Sequence, residues 1–203
     1  MPDWDENSPE LKRNLNRILA ELVQTAPQRQ RPTVEIARSW QKSFMKSLKP
    51  SHAKYVGAFR GEPGLERTGA RIGSYRGAHP ANVAEELRRF EEVLQAAVAR
   101  LDKDLPVGEE LDADETAQVI SLCAWAHAEW VRIHPFANGN GRTARLWANF
   151  FAMRYGLPPF VRLRPRPDQG YAEAGVYAMR GRWKPTAVVF GRLLKRFLDE
   201  AGR

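Results

Sequence analysis

Twelve consecutive residues, His134 to Arg145 (HPFANGNGRTAR), bring together one histidine, a glycine–asparagine–glycine turn and two arginines three positions apart. An imidazole has an unperturbed pKa of roughly 6.5, so it can take a proton from a hydroxyl near neutral pH. Glycines let a backbone approach an anion closely, and the start of a helix offers that anion unpaired N–H groups and the positive end of the helix dipole. If a helix opens at Gly139, Asn140 and Gly141, then Arg142 and Arg145 stand about 60° apart on it. Leu146, Trp147, Phe150 and Phe151 take the other face. Both guanidinium groups then reach one polyanion, and their planar forks suit phosphate oxygens better than an ammonium does. A lone histidine before a helix is more often structural, and a lone GNG turn is more often just a turn. Together they read as a site for a hydroxyl and a nucleoside polyphosphate.

Other chemistries find less support. Neither GxxxxGK[ST] nor a GxGxxG after a strand is present. The histidines, His52, His79, His127 and His134, make no metal spacing such as HExxH. His127 falls on the apolar face of its helix, where a satisfied core histidine is the expectation. Cys123 is the single cysteine, so no internal disulfide exists, and its apolar surroundings point to quiet burial.

Helices must position this stretch. Ser8 and Pro9 open a segment to Gln24 with Leu11, Leu15, Ile18, Leu19 and Leu22 on one stripe. Residues 33–48 repeat the pattern through Ile36, Trp40, Phe44 and Leu48. The glycine-rich run 55–79 forbids a long helix and predicts a β-hairpin or flap. Helical spacing returns over Pro80–Leu101. Asp112 with Glu115 makes a helix-start box for an apolar helix that runs up to His134. The next helix starts within the motif and ends at Gly156-Leu157-Pro158-Pro159; two more, about 168–181 and 185–200, close the chain. The expectation is a mostly α fold in one compact unit, with residues 1–50 as a helical extension packed on a core of 51–203.

Composition bounds the setting. The 203 residues suffice for one packed domain, and six tryptophans with 43% hydrophobic content argue against disorder. The start, MPDWDENSPE, is acidic and unlike a signal peptide, and no apolar stretch reaches a membrane span of roughly 18 to 20 residues. A cytoplasmic protein with no membrane partner is expected. The net charge of +8 suits nucleic acid, an acidic protein or a phosphorylated small molecule, or simply a solvated basic surface.

The motif itself resembles HPFx[D/E]GNGRxxR, the signature of Fic-domain proteins, through His134-Pro135-Phe136, Gly139-Asn140-Gly141-Arg142 and Arg145. Eight fixed positions give a chance match on the order of 10⁻¹⁰ per start. Tyr55 to Arg60, the run 124–136 and Gly156 to Pro159 are also similar to the family. The resemblance implies a Fic fold, a helical bundle with a small β-hairpin flap. It implies transfer of AMP from ATP, with Mg²⁺ or Mn²⁺, to a Ser, Thr or Tyr hydroxyl of a target protein. Position by position, His134 is the general base. Gly139, Asn140 and Gly141 bind pyrophosphate, and Arg142 and Arg145 hold the β- and γ-phosphates. The flap around Arg71, Ile72 and Gly73 docks the target backbone by strand addition.

One position departs: Asn138 stands where the family has an acidic metal ligand. A neutral amide oxygen binds a hard dication less strongly than a carboxylate. Three outcomes rank in order: a slower transferase whose phosphates hold the metal, a changed donor or donor orientation, and a binding-only relic. The rivals are transfer of another nucleotide, a phosphoryl group or phosphocholine, and a non-catalytic module for nucleotide or nucleic acid. No Ser or Thr has Glu four residues later, so the family's inhibitory pattern [S/T]xxxE[G/N] is absent. An antitoxin-like inhibitor in trans is then expected, in a bacterial toxin or an effector secreted into a host cell.

Overall fold

A computed structural model describes residues 8–168 and 170–202. The expected start MPDWDEN lies outside them. Helix α1 (Pro9–Thr25) is capped by Ser8, whose Oγ accepts from the Leu11 N–H, and it buries Leu11, Leu15, Ile18 and Leu22. Helix α2 (Val34–Met45) buries Trp40 and Phe44. It stops before Leu48, short of the periodicity, for a physical reason. Asn14 of α1 donates through Nδ2 to the carbonyls of Phe44 (3.2 Å) and Lys46 (2.7 Å), and Ser47 turns to a φ of 63°.

The glycine-rich segment forms a two-stranded antiparallel hairpin, β1 (Arg71–Ile72) and β2 (Tyr75–Arg76), with Arg71 opposite Arg76 and Ile72 opposite Tyr75. Its two-residue turn places Gly73 at φ 59°, a left-handed conformation that favours glycine. Helix α3 (Val83–Asp104) follows a short 3₁₀ turn at Pro80–Asn82. Helix α4 (Ala113–Ile133) begins with the expected box: Asp112 Oδ1 accepts from the Glu115 N–H at 2.8 Å, and Glu115 Oε2 accepts from the Asp112 N–H at 2.9 Å. Helix α5 (Asn140–Arg154) comes next, and α6 (Tyr171–Ala178) and α7 (Lys184–Ala201) end the chain.

The centre of the bundle is α5. Every residue from Arg142 to Arg154 is buried, so Arg142 and Arg145 face a cavity rather than bulk solvent while Leu146, Trp147, Phe150 and Phe151 join the hydrophobic cluster. Neighbours α1, α2 and α4 surround it, so its polar residues point into protein and must find partners there. Arg154 donates to the carbonyls of Gln30 (2.9 Å) and Arg29 (3.0 Å) and to the Asp102 carboxylate. Asn149 exchanges two bonds with the backbone of Val161, at 2.7 and 2.9 Å. Trp147 lies against Trp40, Trp130 and Phe151, within one hydrophobic cluster that runs from Leu11 to Leu194. No described helix is long and apolar enough to cross a membrane.

Candidate active site

The junction between α4 and α5 carries the motif. His134 ends α4 in the left-handed region, at φ 54° and ψ 56°, and its N–H bonds the Trp130 carbonyl at 2.9 Å. A non-glycine residue there carries a strain of about 1–2 kcal/mol, which persists only under strong surrounding constraint. Arg60 supplies much of that constraint. This arginine is buried and donates through Nε to the His134 carbonyl (2.7 Å), and through Nη2 to that of Ile133 (3.0 Å). It also donates through Nη1 to Thr68 (3.3 Å), while its backbone N–H bonds Pro135 (2.7 Å).

The imidazole is half-buried. Nδ1–H faces the Val131 carbonyl at 3.2 Å and donates to it, so Nε2 keeps its lone pair. Burial, helped by the nearby charge of Arg60 and opposed by the Val131 bond, pushes the His134 pKa down to about 4. At neutral pH the ring is therefore uncharged and able to accept a proton.

Between the histidine and α5 the chain is stapled. Asn140 accepts through Oδ1 from the Phe136 N–H and donates through Nδ2 to the Phe136 carbonyl, both at 2.8 Å. That side chain is thus held within the loop, while the backbone N–H of Asn140 opens the first turn of α5. Gly139 is the N-cap of α5, at φ 92°, and offers no side-chain acceptor to the first turn. A Cβ there would also lie 2.6 Å from the Phe44 ring. By helix geometry the first-turn amides of Asn140 and Gly141 have no intrahelical acceptor, which leaves them for an external anion.

These groups face one cavity of about 340 Å³, whose wall includes His134, Asn138, Gly139, Asn140, Gly141, Arg142 and Arg145. The structure thus brings together the six motif positions expected to act, and Asn138 with them. Of the flap residues, Arg71 reaches the wall, while Ile72 and Gly73 lie further out on the hairpin. The hairpin is fastened at its base: Ala78 N–H bonds the Ile133 carbonyl at 3.1 Å, and a Cβ on Gly77 would come within 2.7 Å of His134 Cβ. Tyr75 further ties it to Arg180, which donates to its hydroxyl.

The two motif arginines are held differently. Arg142 packs over the Phe44 ring at 4.8 Å and donates through Nη2 to Asn138 Oδ1 at 2.8 Å. Arg145 donates through Nε to the Leu163 carbonyl (3.2 Å) and through Nη1 to the Tyr171 hydroxyl (3.4 Å). Tyr171 in turn lies 2.6 Å from His127 Nε2. Burial, then the charge of Arg145, lowers the His127 pKa to about 3, so the ring is neutral as its Nε2 shares a hydrogen bond with the tyrosine hydroxyl. The core histidine of the sequence is thus one end of a relay that orients Arg145. Arg60 and Tyr171 were not singled out by sequence; an arginine inside the apolar run YVGAFRG was the available signal for the first, and nothing local marked the second.

A protein-built divalent-cation site does not fit these residues. Among the described residues no group of three His, Cys, Asp or Glu could hold a metal, and no carboxylate lines the cavity. The oxygen of Asn138 already accepts from a guanidinium.

Comparison with known proteins agrees with the fold and motif. The model of the Fic/DOC family matches residues 31–152. A "Protein adenylyltransferase Fic" of Nematostella vectensis is 40% identical over 86 residues, covering 42% of this chain and 20% of that protein. Its counterpart in Drosophila melanogaster is 34% identical over 91 residues, 43% of this chain and 15% of that one. The chain thus spans a fifth or less of these relatives. A Fic-domain-containing signalling protein from Bacteroides thetaiotaomicron superposes with a TM-score of 0.62 at 20% identity, covering 92% of this chain and 68% of that one. A VirB-translocated effector from Bartonella tribocorum, solved with bound AMPPNP, gives 0.57 at 18% identity over 90% and 85%. With its motif gathered at the α4–α5 junction and more than half its length matched, this chain belongs to the Fic/DOC family.

Proposed function

We propose that the cavity at the α4–α5 junction transfers AMP from ATP to a Ser, Thr or Tyr hydroxyl of a target protein. The target oxygen attacks the α-phosphorus as the bond to the β-phosphate oxygen breaks. His134 Nε2 takes the hydroxyl proton. Pyrophosphate leaves onto the amides of Asn140 and Gly141, between Arg142 and Arg145, where fixed donors meet the developing charge. The observation that carries this reading is a neutral imidazole with a free Nε2 beside a helix N-terminus and two arginines in one cavity. Relatives named protein adenylyltransferase, and a fold neighbour holding an ATP analogue, support it.

Mg²⁺ or Mn²⁺ enters this reading only as a counter-ion carried on the nucleotide's own phosphates. The hairpin pairs with the target backbone, while Ile72 and Gly73 shape its tip. Residues 8–50 act as a packing extension, with Phe44 supporting Gly139 and Arg142. An inhibitor in trans accords with the absence of the inhibitory sequence pattern; a chain fully active yet harmless on its own would contradict it. A bacterial toxin or effector accords with the fold neighbours, whereas the curated relatives above are animal proteins.

Incubating the protein and cell lysate with ATP labelled at the α or γ position tests the reaction. Label from the α position alone is expected. Label from the γ position alone indicates phosphoryl transfer and would overturn the proposal, as would ATP binding with no transfer from either.

A further inference from the structure

The hairpin carries a charge arrangement that its own stability does not favour. Arg71 and Arg76 stand directly opposite each other on its two strands. The Gly77 N–H bonds the Ala70 carbonyl at 3.2 Å, which makes 70 and 77 a hydrogen-bonded pair and, by alternation, 71 and 76 a non-hydrogen-bonded one. In such a pair the opposed side chains come closest, with Cβ atoms about 5 Å apart, and like charges are destabilising. Both arginines are exposed, and neither makes an ion pair with a described residue. The neighbouring sequence supplies no counter-charge. No Asp or Glu occurs between Glu66 and Glu85, or between Glu129 and Asp168, and these two stretches line the cavity. The other face of the hairpin is already taken: Ile72 and Tyr75 are half-buried, and the Tyr75 hydroxyl accepts from Arg180.

Position says which anion the pair meets. Arg71 lines the cavity and Arg76 does not, so the two span its rim. The base of the hairpin is bonded to the residue before His134, through the Ala78 N–H and the Ile133 carbonyl at 3.1 Å. A segment added to the hairpin's edge with its hydroxyl at His134 therefore carries its neighbouring side chains past the two arginines, because alternate residues of a strand share a face. We propose that Arg71 and Arg76 select target segments in which acidic residues flank the modified Ser, Thr or Tyr. This rests on the reading of the cavity as a transferase site with the hairpin as its docking edge. It adds the chemical class of segment that the edge accepts.

Fluorescence anisotropy tests this, with the full chain in the presence of a non-hydrolysable ATP analogue and short labelled peptides centred on Ser, Thr or Tyr. The peptides carry Asp, Ala or Lys on both sides of the centre. Exposed ion pairs are individually weak, so Asp-flanked peptides should bind about fivefold more tightly than Ala-flanked ones, and Lys-flanked ones more weakly than either. High salt should shrink the difference. Arg76→Glu makes an opposite-charge pair with Arg71, so the hairpin keeps its fold, which a thermal melt at or above wild type confirms, while the preference disappears. Reversing both charges, Arg71→Glu with Arg76→Glu, should turn the preference toward Lys. Binding that ignores peptide charge, or no binding of any peptide, overturns the proposal, as does a preference for Asp that survives both reversals. Calorimetry with ATP separates the pair from the nucleotide: Arg76→Glu should match wild type, and a fall of about tenfold or more would assign Arg76 to the phosphates instead. A preference for Asp in binding, with no label passed from α-labelled ATP to the same peptides, would uphold the docking surface and count against the transferase reading.

Discussion

The α4–α5 junction and the β-hairpin flank the same cavity but are built on opposite principles. At the junction each backbone turn is constrained several times over: Arg60 binds three carbonyls there and nearby, Asn140 closes its loop in both directions, and Phe44 fills the space beside Gly139. The hairpin has two residues per strand, an exposed Arg71 and Arg76, and a glycine at its turn. The difference separates two tasks. Chemistry needs groups held within a fraction of an ångström, so it sits where packing is dense. On the proposed reading, target docking needs a strand edge that can accept a partner, which suits a hairpin where few contacts oppose adjustment.

Removing the base should have the largest effect. His134→Ala is expected to lower AMP transfer by about 10³-fold with ATP affinity retained, since general-base catalysis contributes 10²–10⁴-fold; single-turnover assays with α-labelled ATP and calorimetry check the two halves.

Next comes Arg60→Ala, which strands the carbonyls of Thr68, Ile133 and His134. It should destabilise the fold by about 3 kcal/mol in urea denaturation and lower kcat more than it raises the KM for ATP. Loss of stability without a change in the kcat of the remaining folded enzyme would detach Arg60 from the positioning of His134.

Acidification probes the same region. His134 and His127 have folded pKa values near 4 and near 3, below the 6.5 of the unfolded chain. A lowered histidine pKa means that the unfolded state binds the proton first. Stability from these two groups is thus complete above about pH 6.5 and falls as pH drops toward 4. The acidic limb of kcat/KM should lie below 6.5 for the same reason. Denaturation midpoints across pH 4–8 and a pH–rate profile check both, and a limb above 7 would contradict the neutral imidazole.

Smaller still is Tyr171→Phe. Loss of the hydroxyl between Arg145 and His127 should reduce stability by about 1–2 kcal/mol and raise the KM for ATP severalfold, with kcat little changed. Smallest in stability is Ile72→Asp at the flap, within about 0.5 kcal/mol by denaturation. Its signature is a raised KM for the target protein alone. An equal rise for ATP would mean that the two regions are not separate.

Local features were legible in the sequence because their causes are local. The Asp112–Glu115 box, the apolar periods and the glycine turn at α5 lie within a few residues of what they determine. Arg60 serves His134 from 74 positions away, and Tyr171 meets Arg145 from 26, so only the folded bundle shows either pairing. The early end of α2 has the same origin, since the Asn14 that takes its carbonyls belongs to α1. In α5, periodicity gives the angle between side chains, and with it the face that Arg142 and Arg145 share toward the cavity. It does not say how many neighbours surround the helix.

The central claim is that a helix start and two arginines hold a polyphosphate beside an uncharged imidazole. A crystal structure of the protein with a non-hydrolysable ATP analogue tests it most directly. The account predicts phosphate oxygens within about 3.2 Å of the Gly141 amide and of both Arg142 and Arg145, with His134 Nε2 facing the α-phosphate. A triphosphate bound elsewhere, or turned so that His134 faces the base or ribose, would contradict it.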